Sequence, residues 1–134
     1  MRLALILAAT LATPAAAFTA VNGLTVNPVA GGFEVVAQGA DGPRQIWCAA
    51  GQYARALQGN AGNARIYIVT PYGPAQTRPG WRGVSFTIAP SQELAGGPRL
   101  GDGGNYSVRL KAPGFSLTTV HAEGFCADVF TDIL

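Results

Sequence analysis

Charge is scarce in this chain: Asp, Glu, Lys and Arg together make up 12% of 134 residues, about half the share of an ordinary globular protein. The charges nearly balance, nine basic against seven acidic, and the arginines are scattered. That excludes a charge-driven disordered chain and leaves no basic stripe for nucleic acid. With 18 Gly and 9 Pro, no glycine-free stretch is long enough for several helices, so a helical bundle is excluded too. Histidine occurs once, at His121, and cysteine twice. The patterns that announce a reaction are also missing. The glycine loop 96–104 lacks the Lys-Ser/Thr of a phosphate loop and leads toward an expected strand instead of a helix. Gly114-Phe115-Ser116-Leu117-Thr118 lacks the final glycine of a nucleophile elbow. His121-Ala122-Glu123 resembles half of a zinc-deaminase signature, but the accompanying Cys-x-x-Cys is absent. Ser85 or Ser116 with His121 and an aspartate, or a pair drawn from Glu34, Glu93, Asp102, Glu123 and Asp128, could be assembled in space. Nothing in the spacing brings any such set together. No catalytic residue, metal or cofactor is assigned.

What is present begins with an address. Arg2 precedes an apolar run from Leu3 to Ala12, and Ala15-Ala16-Ala17 supplies small residues for cleavage, the pattern of a signal peptide over 1–17. The run is about half of what a membrane span needs, and Pro14 interrupts it. No Arg-Arg pair precedes the run and no Cys follows the cut, so neither folded-state export nor a lipid anchor is indicated. The expectation is a single α+β domain over 18–134, periplasmic or secreted, with no membrane anchor in the mature form. Two cysteines in an exported chain read as one disulfide, Cys48 with Cys126.

The rest is turn-rich. Strands are expected near 20–27 and at 33–37, on either side of a Gly31-Gly32 turn. A helix follows, capped by Asp41, with Pro43 in its first turn and Gly59 as its stop. Ile46, Ala50, Tyr53 and Leu57 fall on one face, with Ala49 and Ala54 beside them, and should pack on the sheet. Trp47 also reads as core. Cys48 lies on the other side near Arg55, so the C-terminal segment must wrap the helix, with Phe125, Val129 and Phe130 as packing residues. Further strands are expected at 65–70, 83–88, 106–111 and 115–121, with loops at 71–82 and 91–104. The economical architecture is α+β: one helix on a mostly antiparallel sheet of about five to six strands, with one disulfide.

The stretch Ile46-Trp47-Cys48-Ala49-Ala50-Gly51-Gln52-Tyr53-Ala54 resembles a motif of small exported bacterial proteins of unassigned function. They share a signal peptide, a Trp-Cys-Ala-Ala…Tyr-Ala helix, a following strand like 64–69, and a second cysteine near the C-terminus. The resemblance implies a shared fold and disulfide, and no activity.

Candidate binding residues cluster in the 71–82 connection, where Tyr72, Arg78, Trp81 and Arg82 stand among three prolines. Aromatics and arginine dominate recognition surfaces, and proline lowers the ordering cost on binding. The expected function is therefore a non-enzymatic binding or structural module of the cell envelope, meeting an envelope protein or glycan. The alternatives are an inhibitor of a secreted enzyme using the same loop, or a small hydrolase built on His121 and Glu123.

Overall fold

The computed structural model describes residues 17–39 and 41–127. The leader expected over 1–17 lies, except for Ala17, outside the described residues, as do Val129 and Phe130. Six strands and one long helix dominate. In chain order they are β1 (Phe18–Thr19), β2 (Thr25–Val29), β3 (Gly32–Ala37), α1 (Pro43–Gln58), β4 (Arg65–Pro74), β5 (Arg82–Thr87), α2 (Gln92–Ala95), β6 (Ser116–Thr118) and α3 (Thr119–Gly124). The strands form one antiparallel sheet in the order β1-β2-β3-β5-β4-β6, as the α+β reading expected.

Alternation decides which face each strand gives to α1. Val26, Val35 and Val84 sit opposite one another across three strands, and Phe33, Phe86 and Ile68 form the next row. All six are buried in the core beneath α1. Trp47 points from α1 into this layer, its ring 5.0 Å from Phe86 and 6.0 Å from Phe115. Its indole nitrogen donates to the Arg109 carbonyl at 3.3 Å, which satisfies the one polar atom of a fully buried side chain.

The opposite side of α1 is covered by α3, which binds the helix along Cys48, Gly51, Arg55 and Gln58. Cys48 and Cys126 are disulfide-bonded, with Cα atoms 4.9 Å apart. Arg55 Nε donates to Glu123 Oε1 at 2.7 Å, and Gln58 Nε2 donates to Thr119 Oγ1 at 3.1 Å. Gly51 allows this approach: a Cβ there would lie 2.7 Å from the Glu123 backbone nitrogen and 2.9 Å from the Ala122 Cβ. The tail thus wraps the helix on the side away from the sheet.

Several expectations need correction; the loop expected at 91–104 holds α2, begun by the Ser91 hydroxyl accepting from the Leu94 N–H, and the strand expected near 20–27 starts only at Thr25, after a turn at 21–23. Asp41 does not cap α1; its carboxylate accepts from the Gln38 N–H at 2.7 Å, and the cap residue is Gly42, whose N–H is taken by Gln45 Oε1 at 3.0 Å. Leu57 is 55% exposed because burial of α1 is concentrated between Ile46 and Ala54. Residues 106–111 are not a strand. The carbonyls of Arg109 and Leu110 are used by the Trp47 indole and the Tyr72 N–H, not by a neighbouring ladder, and Tyr106 points outward at 77% exposure. The strand expected at 115–121 stops at Thr118, whose hydroxyl accepts from the His121 N–H at 3.2 Å and starts α3. Finally, part of the 71–82 connection is strand, because β4 runs on to Pro74.

Candidate functional site

The β4–β5 hairpin carries the residues singled out for binding. Two register shifts interrupt its ladder, between Ile68 and Thr70 and between Thr70 and Gly73. Such bulges bend and twist a hairpin, and they accommodate Pro71, which has no N–H to give to the ladder. The end of the hairpin returns over the sheet face turned away from α1. On that face Asn27, Glu34, Ser85 and Thr70 lie opposite one another across four strands.

Glu34 fastens the tip there. It is 1% exposed, and its carboxylate accepts from the Gln76 N–H at 2.7 Å, the Thr77 N–H at 2.9 Å and the Thr77 hydroxyl at 2.6 Å. Asn27 Nδ2 donates to the same Thr77 oxygen at 2.9 Å. A buried carboxylate is tolerated when its lone pairs are filled this way. Beyond this anchor the chain reverses through Arg78-Pro79-Gly80-Trp81. Pro79 pre-sets the turn, Gly80 supplies the left-handed φ of +83° at the next position, and the Trp81 N–H closes it on the Arg78 carbonyl at 3.1 Å. The turn places its first and last side chains side by side: the Arg78 guanidinium carbon lies 3.6 Å from the Trp81 ring centroid. Trp81 keeps 36% of its surface exposed, so it does not fold back to seal the core.

Arg82 opens β5 opposite Pro74 and Ala37, with an exposed side chain. Tyr72 is placed elsewhere. It lines a cleft of about 400 Å³ with Asp41, Pro43 and residues 108–111, in which Arg78, Trp81 and Arg82 take no part. Of the four candidates, the structure therefore brings Arg78 and Trp81 into contact.

The sets weighed for catalysis come apart. His121 and Glu123 lie on helix α3, where neighbours two apart diverge instead of sharing a strand face. Glu123 is paired with Arg55, and Cys126 with Cys48. The Ser85 hydroxyl accepts from the Thr70 N–H and the Ser116 hydroxyl from Arg65, and both serines are buried. Asp128 lies outside the described residues.

Sequence reasoning missed the role of Glu34, weighed above only as half of a carboxylate pair. The signal was a single acid inside Phe33-Glu34-Val35-Val36-Ala37, a strand otherwise buried on both faces. It also missed a set of hollows around Arg65, Arg99 and His121, which come from three distant stretches of chain. Comparison with family models, with curated proteins and with solved structures gives no match to this chain.

Proposed function

We propose that this chain is an exported, non-enzymatic binding module of the bacterial cell envelope, meeting an envelope protein or a glycan with its 75–81 tip. The observation that carries the reading is the Arg78–Trp81 stack, held on a Pro-Gly turn and pinned from behind by buried Glu34. A ring and a guanidinium that are already ordered lose little freedom on binding, and these two types recur at the centres of recognition surfaces. A disulfide in the core supports an oxidising compartment, periplasmic or secreted. Among the described residues no helix is long and apolar enough to cross a membrane. The stiffness of the turn also suits the second reading, a wedge that enters the cleft of a secreted enzyme.

The test is capture from an envelope extract and from soluble cell-wall fragments, using the wild-type chain and an Arg78→Ala, Trp81→Ala variant side by side. The expected result is a ligand retained by the first and lost by the second. Identical captured sets would rule out the tip as the binding surface. Cell fractionation tests the compartment: the full-length chain should appear outside the cytosol, shortened by its first 17 residues.

A further inference from the structure

Three polar side chains from separate elements converge on the flank of β6. Arg65 comes from β4, Arg99 from the irregular segment between α2 and β6, and His121 from the first turn of α3. With Ser116, Leu117 and Thr118 they line a hollow of about 220 Å³. Arg99 is held beside Ser116 by a backbone bridge. One nitrogen of the Arg65 guanidinium donates to the Ser116 hydroxyl at 3.1 Å and lies 3.5 Å from its carbonyl, which fixes the group at the wall. Among the described residues the Arg99 guanidinium makes no hydrogen bond or ion pair, while its backbone N–H donates to Asp102 at 2.8 Å.

No described carboxylate lines this hollow. Glu123 is held by Arg55, Glu34 by the hairpin tip and Asp41 by Gln38, while Asp102 lines a neighbouring concavity that Arg99 shares, without forming an ion pair with it. Two guanidinium forks that no described carboxylate pairs with, and an imidazole beside them, suit an oxyanion, which a fork can hold with two parallel hydrogen bonds.

The hollow does not stand alone. Leu100 and His121 also line a cleft of about 570 Å³ whose walls include Tyr106, Val108 and Phe125. Tyr106 is 77% exposed, and Arg44 lies 5.8 Å from the centroid of the Phe125 ring. A cleft with aromatic and aliphatic walls, mixed with Arg44, Gln45 and Ser107, thus adjoins the arginine-lined hollow. We propose that the two together form a site for an amphiphilic organic anion. A phosphate or carboxylate sits among Arg65, Arg99 and His121, and its hydrocarbon or aromatic body lies along Leu100, Tyr106 and Phe125. The site shares no residue with the hairpin tip, so it stands or falls independently of the function proposed above.

Nuclear magnetic resonance titration of the isotopically labelled, disulfide-bonded chain tests it, with phenyl phosphate as the probe. Parallel arms use inorganic phosphate, phenol, and vesicles of phosphatidylglycerol or phosphatidylcholine. Phenyl phosphate should shift the amides of Arg99, Leu100 and His121 saturably, with inorganic phosphate and phenol each binding at least about tenfold more weakly. Arg99→Gln, which removes a guanidinium that no described residue bonds, should weaken phenyl phosphate by about tenfold, while Trp81→Ala leaves it unchanged. Shifts at the same amides with phosphatidylglycerol vesicles, and none with phosphatidylcholine, would assign the anion to a lipid headgroup; a response to phenyl phosphate without one to vesicles would assign it to a free small molecule. Phenol binding as tightly as phenyl phosphate, an unaffected Arg99→Gln variant, or silence toward both phenyl phosphate and phosphatidylglycerol would overturn the proposal.

Discussion

Replacing Glu34 by alanine should release the hairpin tip while leaving the sheet folded. Its carboxylate accepts three hydrogen bonds, at 2.6, 2.7 and 2.9 Å. Hydrogen bonds to a charged group contribute about 1.5–3 kcal/mol each, so their gross sum is about 4.5–9 kcal/mol. Two effects reduce that sum. A carboxylate at 1% exposure carries a desolvation cost of several kcal/mol, which disappears with it. The freed donors belong to Gln76 and Thr77, which are exposed residues that water can reach. The net global loss should therefore be about 1–3 kcal/mol, read as a fall in the urea midpoint at unchanged slope. The local effect is sharper, because the amides of Gln76 and Thr77 have the carboxylate as their partner. Their hydrogen exchange should accelerate about 100-fold more than that of the β3 and α1 amides. Glu34→Gln should lie between, since one carbonyl oxygen still accepts while the amide group turns a donor toward a donor. Unchanged protection at Gln76 and Thr77 in Glu34→Ala would refute the anchoring role. Acceleration by one common factor across the chain would show that Glu34 serves general stability and does not hold the tip.

The disulfide closes a span of 78 residues, so a Cys48→Ala, Cys126→Ala variant should lose about 4 kcal/mol, measured by urea unfolding against the oxidised chain. Gly51→Val should push α3 off α1, because a side chain there meets the Glu123 backbone; a loss of about 2 kcal/mol or more is expected, against no loss for Gly124→Ala, where the space is open. Both effects can be read from thermal midpoints, and equal values for the two glycines would contradict the close packing of α3. Trp47→Ala should cost about 3–5 kcal/mol, since the ring fills the contact between Phe86 and Phe115 and its nitrogen satisfies a carbonyl.

Much of the fold was legible because its signals are local and periodic. Val84, Phe86 and Ile88 alternate with Ser85 and Thr87, and β5 lies where that pattern places it. Pro43 and Gly59 bracket α1 as helix punctuation should. The failures have one physical origin: a competing partner that lies far away in sequence. Tyr106-Ser107-Val108-Arg109-Leu110 alternates like a strand, but its carbonyls go to Trp47 and Tyr72. Thr118-Thr119-Val120 is a β-branched run that favours a strand, yet Thr118 caps a helix whose Ala122 fills the gap left by Gly51. Arg78-Pro79-Gly80-Trp81 could be read as a turn from its own residues, whereas its attachment to Glu34, more than forty positions earlier, could not.

The scarcity of charge gives these placements their weight. Of the described residues, Arg55 and Glu123 form the one ion pair, and it ties α3 to α1. Glu34 is spent on backbone amides, and so are Asp41 and Asp102. The acids of the described chain are thus largely consumed in shaping irregular segments. The arginines divide: Arg55 and Arg65 are held inside the fold, whereas Arg78 stands on the hairpin tip and Arg44 and Arg99 line hollows, with no described carboxylate within ion-pairing distance. A sequence with few charges thus uses most of its described acids internally and leaves several guanidinium groups at a tip and in two clefts. That distribution, invisible in a net charge of only +2, is what the two sites proposed above, the tip and the β6 hollow, both rest on.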